Sequence, residues 1–320
     1  MASQVKNGKA FEYALLLALV EQLESITQVS VIETSALSVA KRFFDDFDST
    51  EQNNFIKSAQ NAISFLREIE PPLSNSIADD DILEIRLASD AEGQTGDVRD
   101  VLTIRSKQSW EIGISAKNNH RAVKHPRLSN TIDFGEKWLG LPCSDQYFAD
   151  IRPIFDHLKA IKNDDKTAKW VDSFDNIGAD VYRPILEAFK TELLRLNAQH
   201  PSILAERLVT YLIGNKDFYK VIGGKKKVEI LAFNLHGTLG KSIAGIRPKA
   251  PITKIKLPTR LIECDFKPNS QNTLLAVLDE GWQISFRIHN ASSKVEPSLK
   301  FDVNLIGAPY TLVPNQIFID

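Results

Sequence analysis

With 320 residues, 43% of them hydrophobic and 25% charged, the chain has the make-up of an ordinary globular protein and is long enough for one elaborated domain or two. No apolar run reaches the ~20 residues of a membrane helix, and Cys143 and Cys264 stand far apart without a CxxC partner, which excludes a disulfide framework or a zinc cluster and points to a reducing cytoplasm. The net charge of -2 hides an uneven distribution: ten acids against three bases from Arg67 to Asp100, then twelve Lys/Arg against four acids from Lys216 to Lys267.

Lys6 and Lys9 precede an apolar stretch, but Glu12 and Tyr13 interrupt it and no small-residue cleavage site follows, so a signal peptide is not expected. Met1 to Asn7 reads as a loose terminus, with Asn7 or Gly8 capping a helix that begins near Lys9. Phe11, Ala14, Leu15, Ala18, Leu19 and Leu23 recur at helical spacing. Glu12 then falls in the first turn, where it either complements the helix N-terminus or points a carboxylate at a metal site. Ser35 to Leu66 continues with helical periodicity until Pro71 and Pro72 stop it, and Ile82 to Leu87 alternates as a strand.

Gly96 to His120 is the stretch with chemistry in it. Val101 to Ile104 and Trp110 to Ala116 are rich in β-formers, separated by the polar Ser106 to Ser109. An antiparallel hairpin turning about Lys107 and Gln108 places Asp100 opposite Ser115, with Lys117 one pair further along. Glu111, Gly113, Ser115 and Lys117 share one face; Ile112, Ile114 and Ala116 share the other. The register thus brings a carboxylate beside an ammonium at one end of the hairpin. Asp97, three residues before Asp100, faces the other way on a regular strand, and a one-residue register shift would exchange the two.

Asn118, Asn119, His120, Arg121, Lys124, His125 and Arg127 follow in a segment too polar for a core and free of acids. The histidines lack zinc-spaced companions, so phosphate or base contacts are the expectation, with ordinary surface histidines as the alternative. Asp145 to Leu212 is mainly helical; Lys216 to Pro268 mixes short strands with Gly, Pro and Lys; Leu274 to Leu278, Trp282 to Ile288 and Leu299 to Leu305 read as strands. Lys225, Lys226 and Lys227, with Arg121, Lys124 and Arg127, suit phosphates. Arg287, His289, Asn290 and Lys294 lie in a strand-to-loop passage suited to reading guanine edges, unless Arg287 and Asn290 only fix a turn.

An acid at the start of one strand and [DES]-x-K at the end of the next resembles the restriction-like PD-(D/E)xK nucleases, here with Ser115-Ala116-Lys117 as the second half. Further blocks widen the resemblance. GKAFEY, GDVRDV, WEIGISAKNNH, VKHPRLS, DFGEKW, DFYKVI, NLHGTL, LPTR, DFKPNS and above all WQISFRIHNASSKVEPSLKFD resemble the HaeIII-type type II restriction endonucleases nearly end to end.

The resemblance implies an α/β (α+β) fold with a restriction-endonuclease-like core sheet, Mg²⁺-dependent cleavage of double-stranded DNA, GGCC as target, and a DNA cytosine methyltransferase as genetic companion. The expected organisation is a nuclease core over residues 1–144, a helical insertion or bridge over 145–215 and a basic, β-rich DNA-recognition region over 216–320. Asp100, with Glu12 or Asp97, is expected to hold the metal, and Lys117 to position the water. Ser115 replaces the usual second carboxylate, and Glu111, ~13 Å along the strand, is too far to substitute for it. A structure-specific or repair nuclease on the same core, and a DNA-binding module with a dead core, remain the alternatives. A palindromic target suits a homodimer and equally a monomer that nicks twice.

Overall fold

The computed structural model describes residues 2–78, 80–89, 97–118 and 123–319. The chain divides into two compact units, the first formed by Met1–Arg121, Asn215–Ile255 and Tyr310–Asp320, the second by Ala122–Gly214 and Lys256–Pro309. This differs from the three consecutive pieces expected from sequence. Strands near residues 220, 230 and 315 complete the sheet of the N-terminal unit, and such long-range pairing leaves no local signal in composition.

The first unit is built on a seven-stranded mixed sheet. Its strands are β1 (Val29–Val31), β2 (Leu83–Leu87), β3 (Val101–Arg105), β4 (Trp110–Asn118), β6 (Phe218–Gly223), β7 (Lys227–Phe233) and β12 (Asn315–Phe318), hydrogen-bonded in that order. The β1–β2 and β4–β6 pairs are parallel and the rest antiparallel.

Helices α1 (Ala2–Leu23), α2 (Ser35–Asp45) and α3 (Ser49–Ile69) belong to this unit, the latter two capped by the side chains of Thr34 and Asp48. Phe11, Leu15 and Leu19 of α1 join Ile112, Ile114, Tyr219, Val221 and Ile230 of the sheet in one buried core. This is the apolar face that the alternation of β4 predicts.

Helix α1 begins earlier than expected, at Ala2. Lys6, placed in a loose terminus by the sequence reading, ion-pairs with Asp46 at 3.6 Å and lies 4.5 Å from the Phe47 ring, so tertiary contacts extend the helix past its local signal. Glu12 is therefore about three turns inside the helix, out of reach of the N-terminal dipole expected to favour it.

One buried ion pair ties the hairpin to its surroundings. The Arg105 guanidinium, fully buried, donates to Asp81 Oδ2 at 3.1 Å, to the Pro72 carbonyl at 2.7 Å and to Thr27 Oγ1 at 2.9 Å. Truncating one partner strands the other charge out of water. Arg105→Ala is accordingly expected to cost roughly 3–5 kcal/mol, read as a fall in the denaturation midpoint with the slope of the transition unchanged.

The second unit carries a five-stranded antiparallel sheet in the order β5 (Arg127–Leu128), β11 (Leu299–Gly307), β10 (Gln283–Asn290), β9 (Thr273–Leu278) and β8 (Leu261–Phe266). The last three strand expectations from sequence correspond to β9, β10 and β11. Helices α4 (Asp145–Asp164), α5 (Arg183–Gln199) and α6 (Leu204–Ile213) account for the expected helical stretch. Phe286 and Phe301 on the inner sheet face meet Phe189 of α5 at 5.7 and 5.2 Å between ring centres. The opposite face is polar. Among the described residues no helix is long and apolar enough to cross a membrane.

Candidate active site

The hairpin forms in the expected register. Val101 pairs with Ile114, Leu102 with Gly113 and Arg105 with Trp110, and the Asp100 amide donates to the Ile114 carbonyl at 2.8 Å. Ser106–Gln108 makes a single 3₁₀ turn, and Ser109 closes it in the left-handed region at φ 48°. With the register fixed, Asp100 stands at the mouth of β3 beside the last residues of β4.

Three donors converge on one oxygen of Asp100. The Ala116 amide reaches Oδ2 at 2.7 Å, Ser115 Oγ at 3.3 Å and Lys117 Nζ at 3.3 Å. Among the described residues no donor engages Oδ1, so the carboxylate is locked by one oxygen and open at the other. Ser115, 3% exposed, thus serves as a donor that fixes Asp100. A carboxylate in its place would set two like charges side by side.

Glu12 contributes the second acid. It is 5% exposed, and its Oε2 accepts from Lys9 Nζ at 3.1 Å. Burial raises its pKa to about 8, the charge of Asp100 pushes the same way, and Lys9 and Lys117 oppose both. Glu12 therefore feels the charges of both Asp100 and Lys117.

Among the described residues Asp97 is held by an arginine. Arg99 clamps it bidentately, Nε to Oδ1 at 2.8 Å and Nη2 to Oδ2 at 2.7 Å, and reaches Glu111 through Nη1 at 3.0 Å. The aliphatic stem of Arg99 has room because position 113 is glycine: a Cβ there would overlap Cβ, Cγ and Cδ of Arg99. Gly113→Ala is expected to dislodge the clamp at a cost of about 1–3 kcal/mol, checked by thermal melting.

The sequence reading missed both Arg99 and Lys220. Lys220 pairs in register with Ser115 on the parallel neighbour β6 and is 6% exposed. A lysine inside the apolar run DFYKVI was the available signal.

The remaining sequence candidates fall in different places. Asn118 and the exposed Lys225 line one small cavity of about 110 Å³ with Asn7, Phe11 and Asn54. Lys226 is exposed, and Lys227 donates to Gln316 at 3.1 Å. Asn119, His120 and Arg121 lie outside the described residues.

Lys124 is turned inward: Nζ donates to the Tyr211 carbonyl at 2.7 Å and lies 3.6 Å from its ring, and burial lowers its pKa to about 8. Arg127 is half exposed near Ser298, and Lys294 is exposed. Asn290 fixes its own turn, accepting from Tyr182 Oη at 3.1 Å and donating to the Ser292 carbonyl at 2.6 Å. Arg287, His289 and His125 gather around Asp302.

Compared with known proteins, residues 8–309 match the family described as HaeIII restriction endonuclease. The chain belongs to the HaeIII restriction endonuclease family. It is 41% identical over 309 residues, covering 96% of this chain and 95% of the relative, to the type II restriction enzyme HaeIII of Haemophilus aegyptius. No solved structure matches it.

As a member of this family the chain is a type II site-specific deoxyribonuclease and binds double-stranded DNA; enzymes of this type generally work with a divalent metal. The donor set suits such an ion. Among the described residues no group of three or more His, Cys, Asp and Glu converges, but Mg²⁺ is commonly held by one or two carboxylates with water and phosphate completing its shell. The open Oδ1 of Asp100 and the buried carboxyl of Glu12 are oxygens of the kind such an ion takes.

Proposed function

We propose that the hairpin of β3 and β4 is the cutting centre of a Mg²⁺-dependent endonuclease that cleaves both DNA strands at GGCC, within a restriction-modification system whose methyltransferase protects the same sequence. The convergence of the Ala116 amide, Ser115 and Lys117 on a single oxygen of Asp100 is the observation that carries this reading. The target rests on the family and on the near full-length match to the Haemophilus enzyme.

Asp100 and Glu12 would hold the metal, both through hard carboxylate oxygens. When bound, Mg²⁺ supplies a Lewis acid that neutralises charge on the scissile phosphate and on the leaving oxygen. Lys117 donates to the attacking water, orienting it and stabilising its deprotonated form. Ser115 and the Ala116 amide keep Asp100 from rotating, so the site is organised before DNA arrives.

The second unit reads the sequence through Arg287, while Arg127, Lys225 and Lys294 carry exposed positive charge for the phosphate backbone. The enzyme works in the cytoplasm, and a homodimer places one cutting centre on each strand of the palindrome.

Paired duplexes that differ only in one GGCC test this. With Mg²⁺ the GGCC duplex is cut on both strands, and the copy with one base changed, the methylated copy and the reaction with chelator stay intact. Cleavage of all duplexes alike would leave a nuclease without the proposed target.

A further inference from the structure

The outer face of the second unit's sheet is organised around one carboxylate. Along β10, Ile284, Phe286 and Ile288 are buried while Ser285, Arg287 and His289 face the other way; along β11, Phe301 and Val303 are buried while Lys300, Asp302 and Asn304 share the outer side. Register puts Arg287 opposite Asp302 and His289 opposite Lys300, with Arg127 of β5 opposite Lys300 on the far side. Arg287, Lys300 and Arg127 thus lie along this face with Asp302, and Glu296 comes within 3.9 Å of Arg127.

The acid has no oxygen to spare. Asp302 Oδ2 accepts from Arg287 Nη2 at 2.7 Å; Oδ1 lies 2.8 Å from His125 Nδ1 and 3.3 Å from His289 Nε2. The other nitrogen of His289, Nδ1, lies 2.7 Å from the Asn290 carbonyl, while Nε2 is buried against Asp302 without forming a hydrogen bond. Among the described residues only Nη2 of Arg287 is engaged, and the side chain is 54% exposed. Arg287 is therefore the member of the cluster with donors left over, and a guanidinium held at one end is placed to fork onto guanine O6 and N7.

We infer that Asp302 is a positioning residue for sequence reading: it holds Arg287 in the orientation that contacts guanine, and His125 and His289 brace Asp302. The inference rests on the sequence-specific endonuclease proposed above. Asp302 does not itself read cytosine, since both its oxygens are occupied, and Lys300 and Arg127 flank the cluster as phosphate contacts.

The test compares wild type, Asp302→Asn and Arg287→Lys by the ratio of cleavage rates at GGCC and at sites with one base changed, alongside affinity for a duplex without GGCC and thermal melting. Asparagine keeps the shape of Asp302 but loses the charge; lysine keeps the charge of Arg287 but loses the fork. Each variant is expected to lose about ten-fold or more of the discrimination ratio, with affinity for the unrelated duplex within about two-fold of wild type. The double variant should be no worse than the poorer single one, because both changes act on one contact.

Unchanged discrimination in Arg287→Lys overturns the inference even if Asp302→Asn is destabilised. So does an equal loss of affinity on every sequence, which marks a phosphate or purely structural role. If wild type cuts a fixed sequence other than GGCC, the ratio is taken at that sequence, so failure of the proposed target and failure of the Asp302 clamp stay separate.

Discussion

Asp100→Asn is expected to reduce Mg²⁺-dependent cleavage by roughly 10³-fold or more while leaving metal-free duplex binding unchanged or slightly tighter. Oδ2 of Asp100 takes three donors, from the Ala116 amide, Ser115 and Lys117, and an amide side chain turned to satisfy them presents an NH₂ group where Oδ1 should face a cation. Removing one negative charge near the phosphates also lessens repulsion of DNA. Glu12→Gln should be milder, raising the Mg²⁺ concentration needed for half-maximal rate.

As a proposed ligand, Glu12 would also make metal uptake pH-dependent. Its pKa is raised to about 8, so below that pH the metal-free protein carries a proton there that the cation must displace. Apparent Mg²⁺ affinity is expected to climb up to about pH 8 and level off above it, and Glu12→Gln to flatten the climb. Metal titrations of both proteins across this range check it; a pH-independent affinity in wild type would remove Glu12 from the ligand set.

Lys117→Ala is expected to abolish cleavage by a comparable factor, on the order of 10³-fold, with duplex affinity changed by no more than about two-fold. The amine lies 3.3 Å from Asp100 and is about a third exposed, placed to donate both to the carboxylate and to a water. On the proposed reading it is one cation among several basic side chains, so its loss costs little binding, whereas it is the amine held against Asp100 and so placed to donate a hydrogen bond to the reacting water. Single-turnover rates on pre-bound DNA separate the two quantities. A fully active variant would move the catalytic amine elsewhere, with buried Lys220 beside Ser115 the next to test.

Which parts of this were legible in the sequence follows from how local the determinants are. The hairpin register was, because strand alternation and a short polar turn at Ser106 to Ser109 constrain it within twenty residues, and it sets Asp100 beside Ser115. The strands ending the second unit were legible for the same reason.

The capture of Asp97 by Arg99 was not, because it depends on the space left over Gly113. Nor was the start of α1, which is held by Asp46 and Phe47 from the next helix and its end. Lys124 looked like a phosphate contact by composition, yet its amine packs on Tyr211, 87 positions later. In each of these cases a residue brought close only by the fold, Gly113, Asp46 with Phe47, or Tyr211, overrides the local pattern. Residue type indicated the chemistry; only tertiary contacts indicated where it was spent.

The most direct test of the central claim is to incubate the enzyme with Mg²⁺ and a plasmid of known sequence and to sequence the ends of the fragments. The account predicts discrete fragments whose ends all fall within GGCC, and none from a copy methylated at those sites. Fragments with scattered ends, or an intact plasmid that the protein nonetheless binds, would contradict it.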